Sequence, residues 1–321
     1  MKNRILLSLF TVILLLILAA CGGGSSEDSS PDKTRSIDHA MGTADVPSEP
    51  KKVVVLTNEG TEALLELGIT PVGAVQSWTG DPWYDHIKDS MKNVKNVGTE
   101  SEPNIEAIAE LEPDLIIGNK IRQEQVYEQL SEIAPTVFSE ELRGDWKVNF
   151  NLYANAVNKE QKGKEIIDQF DKRVTDLSEK LGDKKEKKVS VVRFMAGQSR
   201  IYYKDSFPGV ILGQLGFKYP ANQDKIFESQ DDKFAYMTES KESIPEMDGD
   251  ILFYFTYKPA ESEKDASEWE NNWTNDPLWK NLKAVKSGNA HKVNDTVWTT
   301  AGGVKAANLL LDDIESYFLE K

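Results

Sequence analysis

Short β-branched runs alternate with amphipathic stretches along most of this chain, and the pattern occurs twice. Val53-Val54-Val55-Leu56 predicts a strand, residues 61–67 a helix closed by Gly68, and residues 71–75 a second strand. Residues 105–111 then predict a helix, 114–117 a strand, 123–133 a helix and 136–138 a strand. The second half repeats this grammar. Strands fall at 189–192 and 250–254, a helix at 209–215 ends on Gly216, and 242–247 makes a helical turn. The halves share phrases: Glu66-Leu67-Gly68-Ile69 answers Gln214-Leu215-Gly216-Phe217, and Pro113-Asp114-Leu115-Ile116 answers Gly249-Asp250-Ile251-Leu252. Strands alternating with helices predict an α/β fold of two doubly wound parallel sheets, one per lobe, with ligand in the cleft between them.

Between the halves, residues 159–181 are strongly charged, yet Ile166, Ile167, Phe170, Val174, Leu177 and Leu181 recur three or four apart. One apolar stripe on a solvated helix follows. At ~1.5 Å per residue it is a rod of about 35 Å, long enough to cross from one lobe to the other. The expected organisation is an N-terminal lobe at 36–147, a connecting helix region at 148–184 and a C-terminal lobe at 185–321.

The first 35 residues follow another pattern. Lys2 and Arg4 precede an apolar run over residues 5–20 that ends Leu18-Ala19-Ala20-Cys21. Sixteen residues fall short of the ~20 that span a bilayer, and small residues sit just before the cysteine. Residues 1–20 therefore read as a lipoprotein signal peptide cut before Cys21, with lipid on that cysteine, and 21–35 as a flexible tether. The expected place is the outer face of a bacterial cell membrane, of Gram-positive type. Cys21 is the only cysteine, which leaves the mature chain no disulfide or thiolate metal site. Without Lys2 and Arg4 the chain has 36 basic residues against 53 acidic, a net charge of −17. That balance opposes nucleic acid and anionic membrane surfaces, so an anionic ligand needs a local basic pocket.

Ligands of parallel α/β sheets bind beyond the carboxyl ends of the strands. Residues just past each predicted strand are Asn58, Trp78, Asn119 with Lys120 and Arg122, and Arg143 with Trp146 in the first half. In the second they are Arg193 with Phe194, Tyr203 on a following hairpin, Tyr257 and Trp298. Guanidinium forks suit carboxylate and hydroxamate-type oxygens, and aromatic faces exclude water. The expected ligand-binding set is Trp78, Lys120, Arg122, Arg143, Trp146, Arg193, Tyr203, Tyr257 and Trp298. Trp83, Trp269, Trp273 and Trp279 are expected in packing, and Gly302-Gly303 in a turn.

Ile69-Thr70-Pro71-Val72-Gly73, Asn104-Ile105-Glu106-Ala107-Ile108, Pro113-Asp114-Leu115-Ile116-Ile117 and Trp298-Thr299-Thr300-Ala301-Gly302-Gly303 resemble the ferric-siderophore and cobalamin binding proteins of ABC transporters. The resemblance runs from about Ser36 to the C-terminus. It implies a monomeric, extracytoplasmic binding protein that captures a ferric siderophore of hydroxamate or citrate-hydroxamate type and delivers it to an ABC permease and its ATPase. The chelator would supply the iron ligands, so neither a cofactor nor a protein metal site is expected. It also implies one permease-docking glutamate per lobe, matched here by Glu106 and, at looser spacing, Glu242. Alternatives are a catecholate siderophore, ferric citrate, or haem through Tyr84 or His86. Bare metal is disfavoured because His39, His86 and His291 lie far apart and off the strand ends. A lipid-anchored enzyme is disfavoured by the lack of a nucleophile elbow, a His-Glu-x-x-His motif or a phosphate loop.

Overall fold

The computed structural model describes residues 33–142, 144–228 and 230–319. It opens with an antiparallel hairpin, β1 (Thr34–His39) and β2 (Gly42–Pro47), that the hydrophobic pattern did not reveal because only Ile37 and Val46 are buried in it.

The first lobe is built on β3 (Val53–Val55), β4 (Gly73–Ala74), β5 (Lys95–Asn96), β6 (Leu115–Asn119) and β7 (Thr136–Ser139). They form one wholly parallel sheet in the order β5-β4-β3-β6-β7. Helices cover both faces, so β3, β6 and β7 are buried throughout and read as apolar runs rather than alternating ones. Helix Asn58–Glu66 starts where Thr57 Oγ1 accepts the Gly60 N–H at 3.0 Å, and it gives way to Gly68 at φ +80°. This cap sets the first helical turn at the carboxyl end of β3.

The second lobe carries β8 (Val189–Met195), β9 (Gln198–Tyr202), β10 (Ala235–Thr238), β11 (Ile251–Thr256) and β12 (Ala290–Lys292) in the order β10-β9-β8-β11-β12. Here the expectation of a parallel sheet needs correction. β8, β11 and β12 are parallel, but β9 folds back antiparallel on β8 and β10 antiparallel on β9. The cause is local: Gly197 at φ +74° permits a tight turn after β8 where a crossover helix would be needed for parallel pairing.

The connector is helix Glu160–Leu181, 22 residues and so about 33 Å long. Phe170, Val174, Leu177 and Leu181 form its buried stripe, while Ile166 and Ile167 are half-buried. Its start packs on helix Trp146–Ala156, where a Cβ on Gly163 would stand 2.7 Å from the Ala154 methyl; near its end Ser178 Oγ donates to Leu215 O at 2.9 Å in the second lobe. The C-terminal helix Val304–Leu319 is a second tie, unforeseen in the sequence. The Ala306 N–H donates to Glu62 Oε2 at 2.9 Å and Lys305 Nζ to Glu66 Oε2 at 2.8 Å, both on the first lobe. A Cβ on Gly303 would lie 2.5 Å from Glu62 Oε2 and 2.8 Å from its Cβ, so any larger residue here would force Glu62 out of place. One continuous apolar cluster, including Val55, Phe170, Val191, Phe253 and Leu310, links the lobes behind the cleft. Among the described residues no helix is long and apolar enough to cross a membrane.

Candidate ligand-binding cleft

The carboxyl ends of the two sheets face a cavity of about 300 Å³, at the lower edge of the range for small-molecule sites. The first lobe lines it with Glu59 from the turn capped by Thr57, Trp78 after β4, Glu100 after β5, Arg122 after β6 and Leu142 after β7. The second lobe contributes Arg193 and Met195 at the end of β8, Arg200 and Tyr202 on β9, Tyr257 after β11, and Thr299, Thr300 and Gly302 ahead of the C-terminal helix.

These groups differ in how much of their charge is free. Arg193 is almost fully buried: Nε donates to Asp295 Oδ1 at 2.7 Å, and Nη2 donates to Asp295 Oδ2 at 3.1 Å and to Thr300 Oγ1 at 2.8 Å. Tyr202 OH accepts from Nη1 at 3.3 Å, and the Tyr257 ring lies 4.5 Å beneath the guanidinium. Burial opposes this charge, but Tyr202 and Asp295 outweigh it and raise the Arg193 pKa. Such a bidentate pair is neutral as a unit.

Arg122 is different. Its guanidinium lies 5.5 Å over the Trp78 ring, and Nε stands 3.7 Å from Glu100 Oε2, too far for a hydrogen bond. Glu100 is held instead by the Asn58 N–H and Nδ2, each 2.7 Å from Oε1, and burial pushes its carboxyl above the usual range. Arg200 has the most available charge: Nε donates only to the neutral Gln198 Oε1 at 3.1 Å, with no carboxylate in ion-pair reach among the described residues. Arg200 and Arg122 bring one guanidinium from each lobe to the cleft, Arg122 in a long ion pair with Glu100 and Arg200 without one among the described residues.

Of the nine expected ligand-binding residues the structure brings Trp78, Arg122, Arg193 and Tyr257 into the cavity. Arg143 lies outside the described residues, as does Cys21. Four are displaced, each for a stated reason. Lys120 sits two residues from Arg122 on helix Lys120–Gln123, about 200° around the axis, so with Arg122 facing the cleft it turns away and pairs with Glu140 at 2.8 Å. Trp146 is core, edge-on to Phe170 at 5.1 Å, because its helix is clamped by the connector. Trp298 is fully buried against Phe253 at 4.6 Å and donates Nε1–H to Asp313 Oδ2 at 2.7 Å; the residues after it line the cavity. Tyr203 stacks on Phe227 at 4.2 Å, with its hydroxyl on Asp224. It is one residue out of phase, because Arg200 and Tyr202 share the cleft face of β9 while Ile201 and Tyr203 fall on the other. That period of two, applied to the hairpin, is the signal that would have found Arg200. Nothing in composition or spacing singled out Glu59 and Glu100, which read as ordinary surface acids.

Glu106 and Glu242 are exposed, each in a first helical turn: Asn104 Oδ1 accepts the Ala107 N–H at 3.0 Å, and Ser240 Oγ the Glu242 N–H at 3.3 Å. Neither lines the cavity. Trp83, Trp273 and Trp279 are buried and Trp269 half-buried, as packing groups. The three histidines are engaged separately. His39 Nδ1 accepts from the Phe138 N–H at 3.3 Å, His86 meets Glu62, and His291 packs on Tyr317 at 4.3 Å.

Two α/β lobes, joined at the back and open at their strand ends onto a charged aromatic cleft, define a bilobed solute-binding protein. The chain belongs to the periplasmic binding protein family, which it matches over residues 53–293. It is 68% identical over 292 residues to the probable siderophore-binding lipoprotein YfiY of Bacillus subtilis (strain 168), covering 91% of this chain and 90% of that protein. It is 34% identical to the Fe(3+)-citrate-binding protein YfmC of the same organism, over 88% and 85% of the respective chains. Among solved structures it is similar to Staphylococcus aureus SirA complexed with staphyloferrin B, with a TM-score of 0.80, 38% identity, and coverage of 88% of this chain and 98% of that one.

Proposed function

We propose that this protein is an extracytoplasmic, lipid-anchored receptor that captures a ferric siderophore bearing carboxylate or hydroxamate oxygens and passes it to an ABC permease. The observation that carries the reading is the cleft itself: two guanidinium groups with charge to offer, Arg122 and Arg200, face one cavity across the lobes in a protein whose net charge is negative. Aromatic faces from Trp78 and Tyr257 stand beside them. Charge-assisted hydrogen bonds from guanidinium suit the outer oxygens of an anionic chelate. The names of YfiY, YfmC and SirA's ligand support the same class. The chelator supplies every iron ligand, and the protein binds rather than transforms. Lipid on Cys21 would hold it at the membrane.

Titration of the purified protein with ferric staphyloferrin B, a ferric citrate-hydroxamate, a trihydroxamate, a tris-catecholate, ferric citrate and haem tests this. Trp78 fluorescence should be quenched at one-to-one stoichiometry by a carboxylate-bearing siderophore, most tightly of the set, and the chelate should be recoverable unchanged. Tighter binding of haem or of a carboxylate-free chelate would replace this ligand class.

A further inference from the structure

The cavity wall contains an acid that the charge argument alone would exclude. Glu59 is 8% exposed, and its Oε1 accepts hydrogen bonds from Asn149 Nδ2 at 2.7 Å and Tyr153 OH at 2.9 Å. Oε2 has no partner among the described residues, although the residue lines the cleft. Arg122, Arg193 and Arg200 line the same cavity, but among the described residues no cation stands within ion-pair distance of this carboxyl. The described charged groups that face it, Glu62 on its own helix and Glu100 from the loop after β5, are both acids; Tyr153 and Asn149 on helix Trp146–Ala156 are neutral. An oxygen that accepts from two donors beside an unpartnered one is an arrangement that a carboxylic acid satisfies, with its carbonyl on Oε1 and its hydroxyl on Oε2 free to donate into the cleft.

We propose that Glu59 is a specificity-determining residue that acts in its protonated form, its Oε2 hydroxyl donating to an anionic oxygen of the bound chelate. The assignment rests on the anionic-chelate reading and adds that the site takes its ligand together with a proton. Burial, with Glu100 and Glu62 adding to it, pushes the Glu59 carboxyl up to about 8 against the pull of Tyr153 and Asn149, so the acid form is present at neutral pH in the free protein. An anion on Oε2 stabilises that form further. Above pH 8 the proton must be taken up on binding, and affinity should fall by up to about tenfold per pH unit. A ligand ammonium or hydroxyl donating to an ionised Glu59 would give the opposite slope.

The test has two arms. In the free protein, infrared difference spectra should show a protonated carboxyl stretch that titrates near pH 8 and is missing in Glu59→Gln. Its absence at pH 6.5 overturns the proposal whatever the ligand proves to be. With ferric staphyloferrin B as probe, calorimetry at pH 8.5 in buffers of different ionisation enthalpy should show uptake of up to one proton. Glu59→Gln, which keeps a donor at the same reach, should bind without that uptake or the alkaline decline, and Glu59→Ala should bind at least tenfold more weakly at pH 7. Binding with no proton uptake in the parent overturns the proposal while leaving the siderophore reading standing. A chelate that fails to bind at any pH counts against that reading, and the infrared arm still decides Glu59.

Discussion

Residues that share a cavity need not share a task, and the three arginines described around this cleft divide it. Arg200 has charge in reserve, so Arg200→Ala should weaken binding of the anionic chelate by about 1.5–3 kcal/mol, roughly tenfold to a hundredfold, while the melting temperature stays near the parent's. Arg193 is committed to Asp295 in a buried pair. Removing it strands a carboxylate, so Arg193→Ala should cost about 3–5 kcal/mol of stability, read by urea unfolding. An unchanged unfolding midpoint would show that Asp295 is solvated. The difference between the two was not legible in the linear sequence. Arginine at a strand end was legible, whereas which carboxylate neutralises it depends on Asp295, 102 residues further on. Arg200 was obscured because it sits within a hairpin strand rather than past the end of one. Glu59 was obscured because a carboxylate's burial is set by neighbours from other elements, here Tyr153 and Asn149.

Among elements, the period of the apolar positions proved a good guide wherever an element is buried on one stripe or on both faces. The connector's stripe and the Val53-Val54-Val55 strand are examples. It gave no warning that β9 and β10 make the second sheet partly antiparallel, nor of the docking of helix Val304–Leu319 on Glu62, a tertiary hydrogen bond. Gly144, just before helix Trp146–Ala156, makes another contact between the lobes. The Gly144 N–H donates to Asp205 O at 3.1 Å, and a Cβ on Gly144 would meet Val210 Cγ2 at 2.6 Å and the Asp205 and Ser206 carbonyls at 2.8 Å. Backbone cannot yield as a flexible side chain does, so Gly144→Ala should shift one lobe rim against the other. Chelate affinity should drop at least tenfold with both lobes still folded by circular dichroism. Parent-like affinity would mean that this loop is free of the cleft.

At the scale of the molecule, the two helices at the back are reinforced by hydrogen bonds at the cleft's flank. Thr79 and Thr296 hydroxyls meet at 3.0 Å, and Tyr84 OH donates to Thr300 O at 3.2 Å. Lobes tied this way should close by only a few degrees on binding, so X-ray scattering curves with and without chelate should nearly coincide. A marked contraction would mean that these ties break. Delivery should depend on the exposed acids outside the cavity. Glu106→Ala combined with Glu242→Ala should strongly slow iron uptake by cells while leaving chelate affinity unchanged, and a loss of affinity would place one of them in the site. One chelate should sit between the lobes on Arg200 and Arg122. A crystal structure with ferric staphyloferrin B bound tests it most directly. The chelate should lie against Trp78 and Tyr257, with an anionic oxygen within about 3.2 Å of the Arg200 guanidinium. A chelate seated elsewhere, or a cleft complex in which Arg200 still bonds only Gln198, would contradict it.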